Sequence, residues 1–250
     1  MTIEFFNDQV VLSKGLILTL TVSGISAVTR QLENALNFKK VYTEAQKVIL
    51  YSNELSQSLF LCLLEEEEKK SLSKEHLVVF YLNSVEKFKT LCEKLKQEGV
   101  QQVKAFNPYW NDFGSTFVIG NAFRLVLCSG RYLNYKARIA APTNNLDKVK
   151  TELKQLVGLK CIGSFESHRG FDGIMLASHS PLDCHFEFTF FQYERLPQAY
   201  NHSHEIDFIL AKPFFGLIRT LDVYYQLGIF QIDVPIATYC NFRKYLINKA

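Results

Sequence analysis

The sequence predicts an α+β protein of four βαβββ units, whose curved mixed sheets pair into two domains. Three observations predict this. One pattern recurs four times: an apolar strand, a helix of about four turns and a Gly or Asn stop, with the stops at Asn37, Gly99, Gly158 and Gly228 about 60–70 residues apart. After each stop the hydrophobic period shortens from that of a helix to that of strands. Finally, 48% of the 250 residues are hydrophobic, enough for a core in each of two domains of roughly 120 residues.

The elements follow in order. Residues 1–15 are expected to form an arm or an extra edge strand. Unit one opens with a strand over Leu16–Val22, and its helix runs from about Gly24 to Leu36. Strands at Val41–Thr43, Lys47–Tyr51 and Leu59–Leu64 complete it. Unit two has Leu77–Leu82, a helix from Ser84 to Glu98, then Val103–Phe106, Ser115–Ile119 and Phe123–Cys128. Unit three has Ala137–Ala141, a helix from Asn145 to Val157, then Cys161–Glu166, Gly173–Leu176 and His185–Phe191. Unit four opens with Glu205–Ala211, has a helix from Pro213 to Leu227, and ends on Phe230–Val234 and Phe242–Ile247, one strand short. Ser84 and Asn145 are N-caps, because their side-chain oxygens accept from orphan helix N–H groups. Pro213 suits a first helical position, where no N–H is required. The glycine stops suit the left-handed position that ends a helix, and Asn37 is the next best choice there.

Composition narrows the function. A net charge of +3 with scattered bases does not predict nucleic-acid binding. No apolar run approaches a membrane span. No charged-then-apolar leader opens the sequence, so a cytoplasmic location is expected. The six cysteines include no C-x-x-C pair, which argues against structural zinc and fits thiols in a reducing compartment. The run Glu65–Glu68 is read as a solvated linker. No Ser-His-Asp order, P-loop or dinucleotide glycine motif is present.

Several stretches resemble a known family. They are FNPYWNDFGSTF over Phe106–Phe117, NAFRLVL over Asn121–Leu127, IAAPTNNL over Ile139–Leu146, GSFESHRGFDGIML over Gly163–Leu176, and HFEFT over His185–Thr189. Together with the repeat they resemble the vicinal oxygen chelate superfamily of glyoxalase I, bleomycin-resistance proteins, fosfomycin-resistance enzymes and extradiol dioxygenases. The nearest likeness is to small glyoxalase-like proteins of unassigned function, here duplicated. Units two and three, roughly residues 76–192, carry the likeness. Units one and four follow it only in pattern. The resemblance implies glyoxalase-like domains at 1–134 (units one and two) and 135–250 (units three and four), with two-with-three and one-with-four as the rival pairing.

The resemblance also implies a cup in each domain, with possible metal ligands on the first and last strands of both units. Those corners fall at Ile17, Leu77, Arg138 and Glu205 on first strands. On last strands they fall at Phe60 or Cys62, Val126, Glu187 and Tyr245. The first cup would hold only apolar corners, and His76 is one residue out of register, which turns it to the other face. It is read as a strand-start residue near the surface. The second cup is more polar. Strand alternation sends Phe186, Phe188 and Phe190 to the helices, and His185, Glu187 and Thr189 to the cup. Likewise Glu205 and Asp207 face the cup. Arg138 would compete with any cation for Glu187. No metal is therefore expected, and if one binds, Glu187 and Glu205 hold it. Tyr109 and Trp110 lie in a loop and either wall a pocket or plug the core. His168 and Asp172 flank a glycine turn that explains Asp172 without function, although the motif leaves both as possible edges of a site.

The leading functional expectation is a binder of a small organic molecule, without cofactor, acting as a monomer or homodimer. One alternative is a lyase, isomerase or dioxygenase dependent on Mn, Ni, Zn or Fe. The other is an interaction protein on a degenerate glyoxalase fold, favoured if side chains fill the cup.

Overall fold

The computed structural model describes residues 13–66, 74–120, 123–130, 132, 134–157, 159–178, 182–196 and 205–210. Unit one comprises β1 (Ser13–Val22), α1 (Ile25–Leu36), β2 (Lys39–Glu44), β3 (Lys47–Tyr51) and β4 (Leu59–Glu65). Unit two comprises β5 (Leu77–Leu82), α2 (Val85–Gln97), β6 (Gln101–Val103), α3 (Tyr109–Phe113), β7 (Gly114–Ile119) and β8 (Phe123–Ser129). Unit three comprises β9 (Ala137–Pro142), α4 (Leu146–Val157), β10 (Lys160–His168), β11 (Phe171–Ala177) and β12 (Cys184–Phe191). β13 (Glu205–Leu210) opens unit four. The unit-four elements expected after residue 210, with Gly228 and Tyr245, lie outside the described residues, as does Gly158.

Local chemistry sets the helix ends as expected. Ser84 accepts from the Lys87 N–H at 3.2 Å and Asn145 Oδ1 from the Lys148 N–H at 2.9 Å. Asn37 ends α1 in the left-handed region with φ 54°. Two elements depart from expectation. The strand expected at Val103–Phe106 is Gln101–Val103, and the loop at Tyr109 is helical. Glu65 is not a solvated linker residue: it ends β4, and its carboxylate accepts from the Gly24 and Ile25 N–H groups, both at 2.6 Å. An anion at the start of α1 offsets the positive end of the helix dipole.

Each complete unit has the same strand order: its first strand lies parallel to its last, followed by the third and second. The pairing of units corrects the 1–134 and 135–250 division. β5 pairs antiparallel with β9, so units two and three form one eight-stranded sheet, β10-β11-β12-β9-β5-β8-β7-β6. β1 pairs antiparallel with β13, so unit one forms a five-stranded sheet with the start of unit four. All four first strands are open apolar edges of the same kind, so sequence pattern alone does not choose among them. The short link between β8 and β9 sets two neighbouring units edge to edge, while α1 and α2 pack against each other across the sheets. There Gln31 Nε2 donates to the Glu98 carbonyl at 3.2 Å.

Register is conserved between the two sheets. Arg138 lies opposite Val79, two residues beyond Leu77, and Glu205 lies opposite Thr19, two beyond Ile17. On the last strands Val126 pairs with Val79, and Cys62 pairs with Thr19, so the unit-one corner is Cys62 rather than Phe60. The helix-side core joins Leu16, Leu18, Leu32, Val78, Phe80, Leu125, Ile139, Phe186 and Phe188. The opposite face carries two smaller apolar clusters. One contains Ile17, Ile49 and Cys62, and the other contains Leu77, Val79, Tyr81, Trp110, Val126 and Ala140.

Candidate functional site

The site lies on the concave face of the eight-stranded sheet. Opposed residues on paired strands project to the same side, so one row crosses the cup. It runs Val103, Thr116, Val126, Val79, Arg138 and His185. A second row runs Val118, Arg124, Leu77, Ala140, Glu187 and Met175. The four chelating corners of this cup are therefore Leu77, Val126, Arg138 and Glu187. Glu205 and Asp207 lie on β13 of the five-stranded sheet, whereas Glu187 lies on β12 of the eight-stranded one.

Arg138 is the centre of the arrangement and is only 2% exposed. Its Nη1 donates to Glu187 Oε2, and its Nε donates to His185 Nε2 at 3.1 Å. Aromatic rings surround the guanidinium, with Tyr132 at 4.7 Å, Trp110 at 5.2 Å and Tyr81 at 5.5 Å from its central carbon. Such cation–π contacts strengthen when the cation is desolvated. His185 is stacked by Tyr132 and Tyr135, at 4.8 and 4.6 Å between centroids. Burial, with Arg138 beside it, pushes the His185 imidazole down to about 2, so the ring is neutral. With Nε2 accepting, the network assigns the ring proton to Nδ1.

Glu75, two residues before Leu77, is almost wholly buried. Its Oε1 accepts from the Asn107 N–H at 3.2 Å. Burial pushes its carboxyl up to about 8, with the Glu187 charge adding to the rise and Arg124 opposing it. Glu75 is therefore a neutral acid at pH 7. Burial also raises the Glu187 carboxyl, against the pull of Arg138. Glu75, Arg124, Tyr81, Tyr132 and Tyr135 were not among the sequence candidates. Extending the alternation two residues back from Val126 would have reached Arg124, whereas Glu75 lies in the turn before β5. Tyr81 lies on the same alternation as Leu77 and Val79, whereas Tyr132 and Tyr135 precede β9 outside any strand period.

Among the described residues, six buried polar atoms in this cup have no hydrogen-bond partner: Tyr81 Oη, Trp110 Nε1, Thr116 Oγ1, Arg124 Nη1, His185 Nδ1 and Thr189 Oγ1. An unpaired buried polar group typically costs about 1–3 kcal/mol, so their clustering on one face is unusual for a structural core.

The other sequence candidates sort plainly. Trp110 walls and covers the chamber, being 1% exposed, and Tyr109 packs edge-on against it at 5.0 Å. His168 reaches the rim, its ring 6.1 Å from that of Tyr109. Asp172 serves the turn, accepting from the Ser167 N–H at 2.7 Å and Gln192 Nε2 at 3.0 Å. His76 is wholly buried, not near the surface, and Leu77, the next residue, faces the cup. Tyr245 lies outside the described residues, as do the side chains of Glu205 and Asp207.

The donor set does not fit a divalent cation. Two corners are hydrocarbon, one is a permanent cation, and Glu187 is engaged by that cation. Among the described residues no three His, Cys, Asp or Glu side chains converge as a metal site.

Two family models match the chain. The YycE-like C-terminal domain matches residues 75–129, and the YycE-like N-terminal domain matches residues 137–189. Their order along the chain is thus reversed, and together they cover the eight-stranded sheet. The chain is similar to the uncharacterized protein YycE of Bacillus subtilis (strain 168), with 41% identity over 68 residues, 26% of this chain and 46% of that protein. The match thus spans less than half of that relative's length. Among solved structures, a glyoxalase I mutant from Zea mays aligns with a TM-score of 0.61 at 9% identity, over 82% of this chain and 77% of that one. Glyoxalase I from Zea mays aligns with a TM-score of 0.56 at 10% identity, over 79% and 74%. At these identities the likeness is one of fold.

Proposed function

This chain belongs to the vicinal oxygen chelate superfamily, and from that premise we propose that its middle cup is a metal-independent binding chamber for a small organic anion. The observation that carries the reading is the set of unpaired polar atoms on the concave face that holds the buried Arg138 guanidinium. A ligand that supplied their partners would recover the cost of leaving them unsatisfied. Charge favours a monoanion. Arg138 is balanced by Glu187, Glu75 is neutral at pH 7, and Arg124 leaves one positive charge in excess. The walls of Tyr81, Trp110 and Tyr132 favour an apolar or aromatic body on that anion.

Trp110 is the chain's only tryptophan, so its emission reports the chamber directly. Titration with benzoate is expected to change that emission saturably and to raise the thermal midpoint, because a ligand that binds only the folded state stabilises it. Benzamide and benzylamine are expected to bind more weakly, and Arg138→Met is expected to abolish the benzoate response. Silence towards all three compounds would overturn the reading. Elemental analysis after exposure to Mn²⁺, Ni²⁺, Zn²⁺ or Fe²⁺ tests its metal-independent part. Stoichiometric retention that is lost in Glu187→Gln would overturn that part.

A second reading, an interaction protein on a degenerate glyoxalase-type fold, is favoured by one observation: Arg138, Trp110 and Tyr132 occupy the concavity themselves. It expects no small-molecule response from a stable protein. We further propose a cytoplasmic monomer or homodimer, consistent with buried thiols at Cys92, Cys128 and Cys184. Among the described residues no helix is long and apolar enough to cross a membrane.

A further inference from the structure

Trp110, on α3, lies 5.2 Å from the Arg138 guanidinium and both side chains are buried, so a movement of α3 would open a way to the guanidinium. The bonds around α3 show how it would move. Most of them are internal. Asn111 Oδ1 accepts from the Ala105 N–H at 2.8 Å, and Asn111 Nδ2 donates to the Ala105 carbonyl at 3.2 Å. Asn107 Oδ1 accepts from the Tyr109 N–H at 3.1 Å, and the Asn107 carbonyl accepts from the Trp110 N–H at 3.2 Å. Residues 105–111 are thus cross-tied into one unit.

The bonds that tie this unit to the rest of the protein are few and sit at its edges. Inside, the Asn107 N–H donates to Glu75. At the rim, Arg169 Nη1 pairs with Asp112 Oδ2 at 2.7 Å, with both side chains nearly half exposed. At the C-terminal end, the Cys128 thiol donates to the Phe113 carbonyl at 3.2 Å. The chain then enters β7 through Gly114, where a Cβ would stand 2.6 Å from the Leu127 carbonyl oxygen. Only glycine lets the segment turn so close to β8.

We propose that residues 105–114 form a hinged lid that carries Trp110 off Arg138 as a rigid unit, with Glu75 as its inner latch and Asp112–Arg169 as its outer latch. The inference rests on the middle cup being a binding chamber, but the lid is observable without a ligand. The charged groups facing the inner latch are Glu187 on β12 and Arg124 on β8. His76 is its neighbour in sequence, and His168 faces Tyr109 at the rim. Glu75 bonds the lid as a neutral acid. The Asn107 bonds favour the ionised carboxylate and oppose opening, but the larger cost of a buried charge beside Glu187 favours it, because water relieves that charge as the lid opens.

The experiment uses acrylamide quenching of Trp110 in the full chain between pH 7 and 9. Quenching is expected to rise with pH in the wild type and to stay flat in Glu75→Gln. Asp112→Asn, a surface change that leaves the fold intact, is expected to raise quenching about twofold at pH 7, the population shift an exposed ion pair supplies. Hydrogen exchange of residues 105–114, normalised to that of α1, is expected to follow the same trends in the wild type and in Asp112→Asn. Flat quenching in the wild type, or an Asp112→Asn variant indistinguishable from it in both readouts, would overturn the lid. An opening lid with no response to benzoate would instead overturn the chamber reading alone.

Discussion

At the scale of the residue, Glu75 carries the sharpest consequence for stability. Its carboxyl ionises near 4.5 in an unfolded chain and near 8 in the folded one. Between those values the folded state holds a proton that the unfolded state has released. Stability therefore falls as pH rises, by about 1.4 kcal/mol per pH unit from this group alone. The contribution is complete below about 4.5 and gone above about 8. Glu75→Gln keeps a neutral side chain at every pH. Urea unfolding at a series of pH values is expected to show the variant gaining on the wild type from pH 5 to 8 and holding level above. A pH-independent difference between the two would mean that Glu75 is not held neutral. The residue scale was also where sequence was least informative. The alternation of Cys184–Phe191 exposed His185 and Glu187 at once, because a strand's period of two is unambiguous. Glu75 precedes its strand in a turn, where no period runs, and the pairing of Trp110 with Arg138 spans two units.

At the scale of the element, one carboxylate adds a polar clamp between the two sheets. Asp183, just before β12, accepts from Ser56 Oγ at 2.6 Å, from the Gln57 N–H at 2.7 Å and from the Ser58 N–H at 3.1 Å. The Ser58 hydroxyl donates to the same carboxylate. The Asp183 carbonyl meanwhile accepts from the N–H groups of Lys136 and Ala137, fixing the start of β9. A loop of unit one is thereby clamped to unit three. Hydrogen bonds to a charged acceptor are worth roughly 1.5–3 kcal/mol, so Asp183→Ala is expected to cost on the order of 3 kcal/mol. Urea unfolding followed by circular dichroism measures it, and an unchanged midpoint would show that the clamp contributes nothing. The elements themselves were legible because caps and periods are local: Ser84, Asn145 and Asn37 each cap within five residues of their own position. The clamp was not, since nothing in Ser56–Ser58 or Asp183 signals a partner more than a hundred positions away. Close packing hides in the same way at Gly173, where a Cβ would lie 2.3 Å from the Phe165 ring that covers it.

At the scale of the whole molecule, the chain interleaves two sheets instead of placing them in series. The second and third units build the inner one, and the first strand of unit four completes a ladder begun by unit one. Equivalence of register across the two ladders shows that one joining geometry is used twice. The repeat was readable from sequence because helix stops and strand runs recur at fixed spacing. The choice of partner was not, because four equivalent edges admit more than one matching. The reversed order of the two YycE-like matches fits the same interleaving, with a C-terminal half and an N-terminal half meeting in the middle of one polypeptide.

That arrangement dictates an order of assembly. Ser13 pairs with Leu210, so the outer ladder closes nearly the whole described length of polypeptide into a loop, whereas β5 and β9 are near neighbours in the sequence. Contacts between distant segments carry a larger entropic cost and form later. During refolding from urea, Trp110 emission is expected to recover before the amides of β1 gain protection in pulsed hydrogen exchange. Simultaneous recovery would indicate a single concerted step. On the ribosome β1 waits, edge unpaired, until β13 has been synthesised, and a nascent chain is most prone to stick to its neighbours during that interval.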